Sequence, residues 1–204
     1  GVDSEPFVTT PAQQNAAAAV LGTMRFPCRT LPSSYVVTIC NSIINKGIEP
    51  VVILSASSNP QDNAMYITAL IGKATYFEHG NENNYAQGWT GTQYANSWRT
   101  WVPQMRAANP NAKIGGPVCS HFDTSGSAYL RDFLNAIKNE PNLYPDFISM
   151  HVYAEHGEDT SDAAVIAKAH SWGDGIERMK ADCQSIIGYV PPFAITEWNW
   201  DAVP

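Results

Sequence analysis

The sequence predicts an α/β fold, a parallel sheet covered by helices, and three observations predict it. Short apolar runs alternate with longer helical segments along the chain. The clearest run, residues 49–55 (EPVVILS), is rich in β-branched residues, as a strand buried on both faces is. No composition shift or linker divides the 204 residues, so a single domain, 1–204, is expected. At 44% hydrophobic the chain is too apolar for disorder and long enough to bury a core. With 12 basic against 19 acidic side chains, net −7, it lacks the basic patch that a nucleic-acid partner requires. No run of about 18 apolar residues is present, so no membrane span is expected.

The elements follow in order. Residues 11–21 (PAQQNAAAAVL) read as a helix, because Ala dominates, Thr10 can cap it and Pro11 suits a first helical position. Residues 22–28 (GTMRFPC) read as a strand. Residues 34–46 place Tyr35, Ile39, Ile43 and Ile44 at helical spacing before a Gly47 stop. After the 49–55 strand, 61–71 reads as a helix and 74–80 (ATYFEHG) as a strand. A long helix, 94–108, aligns Tyr94, Trp98, Trp101, Met105 and Ala108, and Pro103 is expected to kink or split it. Residues 113–119 form a strand weakened by Gly115, Gly116 and Pro117; 127–138 is an amphipathic helix; 146–152 (DFISMHV) is a strand. Residues 162–187 are helical with a break near Gly173 and Gly175, and 193–198 (FAITEW) is a last strand. Six strands result, with a strand fragment at residues 1–4. A doubly wound sheet and a (β/α) barrel both fit. The former expects a Gly-rich phosphate turn, and neither GxGxxG nor GxxxxGK[ST] occurs.

In parallel α/β folds the functional groups gather at the carboxyl ends of the strands. Those ends here read Phe77-Glu78-His79-Gly80-Asn81-Glu82, Ser149-Met150-His151-Val152-Tyr153 and Ile195-Thr196-Glu197-Trp198-Asn199-Trp200. Two carboxylates and several aromatics thus converge. Paired carboxylates are what glycoside hydrolysis needs: one protonates the leaving oxygen, the other attacks the anomeric carbon or activates water. Strand alternation puts Ser149, His151 and Tyr153 on one face, and Phe193, Ile195 and Glu197 on one face.

These segments resemble the clan A retaining glycoside hydrolases. Gly80-Asn81-Glu82 resembles the strand-four motif, Ser149-Met150-His151-Val152-Tyr153 strand six, and Phe193-Ala194-Ile195-Thr196-Glu197-Trp198 strand seven. Arg25 in Thr23-Met24-Arg25-Phe26 matches the arginine ending strand two, and residues 109–117 resemble the passage into strand five. The resemblance covers nearly the whole chain and implies a TIM-type (β/α) barrel. It also implies Glu82 as acid/base, Glu197 as nucleophile, and Asn81 on the sugar 2-hydroxyl. Arg25 and Tyr153 would serve Glu197, while His151, Trp198 and Trp200 join the substrate-binding set. The implied partner is an oligo- or polysaccharide.

A complete barrel of this clan has eight strands. The resemblance accounts for six to seven strand–helix units, lacking strand eight and part of strand one, so an incomplete barrel is expected. It could be a fragment, a barrel completed by another chain or copy, or a reduced protein that binds sugar or self-associates through open edges. Asn139-Glu140-Pro141 superficially matches the clan's Asn-Glu-Pro, but it ends a helix before the 146–152 strand, on the face where barrel residues serve stability. His79, His121 and His156 show no HExxH or comparable spacing, so neither a metal nor another cofactor is expected. Cys28, Cys40, Cys119 and Cys183 form no CxxC; four thiols and one or two disulfides are equally open. Few Lys and many Asn, Ser and Thr residues point to an extracellular, secreted protein. Residues 1–6 lack a basic region followed by an apolar stretch, so a signal peptide is absent or removed.

Overall fold

The computed structural model describes residues 12, 15, 19, 21–28, 31–57, 59–121, 124–155 and 161–201. The strand fragment at 1–4, most of the helix at 11–21 and His156 lie outside them. Strands β1 (Thr23–Pro27), β2 (Glu49–Leu54), β3 (Tyr76–His79) and β4 (Lys113–Gly115) form one parallel sheet in chain order. Strands β5 (Ile148–Glu155) and β6 (Phe193–Asp201) pair in parallel. Isolated parallel bridges, Gly115 to Phe147 and Cys119 to Met150, join the two sheets. The order never reverses, whereas a doubly wound sheet reverses at its switch point. The six strands among the described residues are therefore staves of an incomplete α/β barrel.

The helices are α1 (Ser33–Ile44), α2 (Pro60–Ala69), α3 (Asn83–Ala86), α4 (Gly91–Ala108), α5 (Thr124–Ile137) and α6 (Asp162–Ile187). The single turn α3 is additional to the helices that periodicity predicts, being too short to show one. Helix α4 starts three residues before the expected 94, because Thr90 and Gln93 close a capping box. Its stripe of Tyr94, Trp98, Trp101 and Met105 is buried as the spacing predicts, and Trp98 Nε1 donates to the Leu143 carbonyl at 2.7 Å. Pro103 lies inside an unbroken helix, so the expected split does not occur. Helix α6 likewise runs through Gly173 and Gly175, since glycine in a helix costs only about 1 kcal/mol.

A Cβ on Gly91 would lie 2.3 Å from the Tyr129 carbonyl oxygen and 2.5 Å from the Phe133 nitrogen, so only glycine lets α4 and α5 approach this closely. Outward residues such as Phe26, Val52, Phe77, Ile114 and Met150 fill the layer between strands and helices. The lumen holds a cavity of about 220 Å³ lined by Arg25, Val51, Tyr76 and Phe147. Val51 is thus only half-buried, and β2 is less enclosed on its lumen face than its apolar run implies. Among the described residues no helix is long and apolar enough to cross a membrane.

Candidate active site

Arg25 is 2% exposed on β1 and carries the site. A buried guanidinium needs acceptors for its fork of donors. Its Nε donates to Glu78 Oε2, one Nη to Glu197 Oε1 and the other to Asn81 Oδ1. Glu78 is fully buried on the lumen side of β3. In the sequence Glu78 stands only within the strand-end run Phe77-Glu78-His79; the structure makes it a carboxylate partner of Arg25 alongside Glu197. Its signal was a lone carboxylate inside an apolar strand, which demands a cation.

Glu197 is held at both oxygens. Besides Arg25 on Oε1, the Tyr153 hydroxyl donates to Oε2 at 2.8 Å. Burial, and then the hydrogen bond to Glu197, push the Tyr153 phenol well up, so it stays a donor. Glu82 lies at the left-handed N-cap of α3, just past Gly80 (φ 86°). Its Oε1 sits 2.5 Å from His151 Nδ1, and the same nitrogen lies 3.3 Å from Glu197 Oε2. With two carboxylate acceptors facing it, Nδ1 carries the proton. Glu82, His151 and Glu197 place ligand atoms within 4.8 Å of one another. A cation could use such a set, but the Arg25 guanidinium already places a positive charge on Glu197, which opposes one.

The reach of Glu197 depends on an irregularity that alternation alone cannot see. Met150 pairs with Ile195, but His151 pairs with Glu197, so Thr196 is an extra residue. Met150 and His151 face opposite sides; therefore Ile195 and Glu197 do too, and the shared face expected for Phe193, Ile195 and Glu197 is broken. The shared face of His151 and Tyr153 holds, since both reach the carboxylates. Trp198 pairs with Val152 and is 61% exposed. It lies on the face of β6 opposite Glu197, and the structure does not bring it to the carboxylates. The backbone of Trp200 belongs to β6, while its side chain is outside those described.

The remaining candidates sit elsewhere. His79 points into the helix layer against Tyr94, Trp98 and Trp101, with Nε2 at 2.9 Å from Ser97 Oγ. Burial pushes it down to about 3. Glu140 pairs with Arg99 of α4 at 2.8 Å, a structural contact, as its place at a helix end implies. All four cysteines are buried thiols, with burial pushing Cys40, Cys119 and Cys183 up to about 12. The residues sequence reasoning missed are Asn84 and Ser120. Asn84 Nδ2 donates to Ser120 Oγ at 2.8 Å beside Glu82, and neither stands in a recognisable motif.

Solved structures share this fold at low identity. A glucosidase from Croceicoccus marinus superposes with TM-score 0.73 at 11% identity, over 100% of this chain and 52% of that one. An endo-beta-1,3-glucanase of GH128 subgroup I from Amycolatopsis mediterranei, bound to laminaripentaose, gives 0.61 at 16%, over 98% and 70%. The bacterial orthologue of human α-L-iduronidase gives 0.63 at 14%, over 95% and 39%. The chain thus spans about half the length of the glucosidase. No curated protein matches it. The profile of glycosyl hydrolases family 39 matches residues 71–203, about two thirds of the chain, from before β3 through β6 and including both carboxylates. The chain belongs to glycosyl hydrolases family 39.

Proposed function

We propose that the protein is a retaining glycoside hydrolase acting on a β-linked oligo- or polysaccharide, with Glu197 as nucleophile and Glu82 as acid/base. The observation that carries this reading is the approach of the two carboxylates, with oxygens within 4.8 Å, one just past the end of β3 and the other within β6. Retaining enzymes hold their carboxyl groups about 5–5.5 Å apart, and inverting ones leave room for a water at about 6.5–9.5 Å. The two carboxylates also differ in surroundings. Arg25 and Tyr153 fix both oxygens of Glu197 and balance its charge, as a nucleophile aimed at one carbon requires. The Glu82 carboxylate meets the His151 imidazole rather than a fixed cation, which suits a group that gives and takes a proton.

In the first step a Glu197 oxygen bonds to the anomeric carbon, the glycosidic C–O bond breaks, and Glu82 gives its proton to the departing oxygen. In the second, Glu82 takes a proton from water, whose oxygen attacks that carbon and releases Glu197. The two displacements retain the anomeric configuration. Asn81, whose Oδ1 accepts from Arg25, keeps its N–H donors for a sugar hydroxyl. Complexes of the GH128 structures with laminarin oligosaccharides support an oligosaccharide in this cleft.

The test is a panel of aryl β-glycosides on the full encoded polypeptide, with Glu82→Gln and Glu197→Gln. Turnover should fall at least about a thousandfold in Glu197→Gln, and the first-formed anomer seen by proton NMR should be β. An α product, or equal turnover in wild type and Glu197→Gln, would sink the assignment.

A further inference from the structure

Among the described residues, two other than glycine have left-handed backbones, Glu82 (φ 47°) and Val118 (φ 52°). For a β-branched valine this is an outlier, and such strain persists only where the surroundings over-determine it. The two are bonded to each other: the Glu82 N–H donates to the Val118 carbonyl at 3.2 Å. One residue on, the Cys119 carbonyl accepts from the His151 N–H at 2.8 Å, and the Cys119 N–H donates to the Ser149 carbonyl at 3.2 Å. Ser120 then grips α3 twice. Its N–H donates to Asn84 Oδ1 at 3.3 Å, and its Oγ accepts from Asn84 Nδ2 at 2.8 Å. The Ser120 hydroxyl also lies 2.7 Å from His121 Nδ1.

Three consecutive residues therefore hold Glu82 on one side and His151 on the other, the pair whose side chains meet. All three are buried, Ser120 being the most exposed at 8%. The regular ladders do not do this work. Strand β4 ends at Gly115, and α3 is four residues long, too short to hold its own shape.

The geometry points to Val118–Ser120, closed by the Asn84–Ser120 side-chain pair, as the positioning element of the acid/base: it pins the loop after β3 to the loop after β4 so that Glu82 meets His151 opposite Glu197. Asn84 and Ser120 touch neither substrate nor reacting atoms; they act through Glu82. This rests on the assignment of Glu82 proposed above.

The test is a leaving-group series on the full encoded polypeptide with Ser120→Ala, Asn84→Ala and Ser120→Thr. A misplaced acid penalises a poor leaving group, which needs a proton, more than a dinitrophenolate, which does not. Ser120→Ala and Asn84→Ala should each lower kcat on a methoxyphenyl β-glycoside on the order of tenfold more than on the dinitrophenyl one, with KM little changed. Ser120→Thr, which keeps the hydroxyl, should recover most of the loss. Equal losses on both substrates, or none, overturn the proposal. A second readout is independent of turnover. The His151 Nδ1 proton resonance should shift in Ser120→Ala in the direction seen in Glu82→Ala. An unmoved resonance overturns the positioning claim even where wild type shows no hydrolysis, whereas absent hydrolysis with a shifted resonance removes only the assignment of Glu82 as acid/base.

Discussion

At the residue scale, one guanidinium organises the site. Arg25 of β1 joins Glu78 and Asn81, within and just past β3, to Glu197 of β6. Replacing it removes the cation paired with Glu78, which is fully buried. Breaking a buried pair costs more than the pair contributes, because a charge is left uncompensated. Arg25→Gln should therefore lose about 3–5 kcal/mol in urea unfolding, as well as nearly all turnover. Tyr153→Phe tests the other anchor of Glu197. It removes one hydrogen bond and no charge, so the fold should persist while kcat falls by up to about a hundredfold through misorientation of Glu197, the proposed nucleophile. Steady-state kinetics beside a thermal melt would separate the two outcomes.

At the element scale, β6 shows how one extra residue re-aims a side chain. With Thr196 bulged, Glu197 takes its place beside His151. Deleting Thr196 removes the bulge and leaves Ile195 and Glu197 paired in plain alternation with Met150 and His151, so hydrolysis should persist. Inserting one residue after Thr196 puts the carboxylate one position out of register and should abolish hydrolysis while far-ultraviolet circular dichroism stays helical. A second element-scale prediction concerns the α4–α5 contact. Gly91→Ala drives a methyl into backbone atoms of α5 at 2.3 and 2.5 Å, and backbone cannot swing aside. The loss should be about 1–3 kcal/mol in chemical unfolding.

At the scale of the whole molecule, His79 ties the folding equilibrium to pH. Burial holds its folded value near 3, against 6.5 for the free side chain. Between those values the unfolded chain binds a proton that the folded chain does not, so stability is fully present above about 6.5 and falls as pH drops toward 3. The contribution is at most about 1.4 kcal/mol per pH unit. Urea midpoints followed from pH 7 to 4 should show a shallower acid decline in His79→Gln than in wild type; parallel curves would contradict a buried neutral imidazole.

The sequence by itself determined the alternation of strands and helices, the buried stripe of α4 and the strand ends that bear Glu82, His151, Tyr153 and Glu197. These are local features: a period of two or 3.6 residues, or a short motif, is readable without knowing what lies across the fold. Only the tertiary structure decided that the strands follow chain order around a barrel wall. It also decided that a bulge turns Glu197 inward, that Trp198 takes the opposite face, and that Arg25 serves three partners at once. The reason is distance along the chain. Arg25 and Glu197 lie 172 residues apart, and Glu82 and His151 lie 69 apart. Their contacts arise from sheet order and register, and no pattern within either segment encodes them.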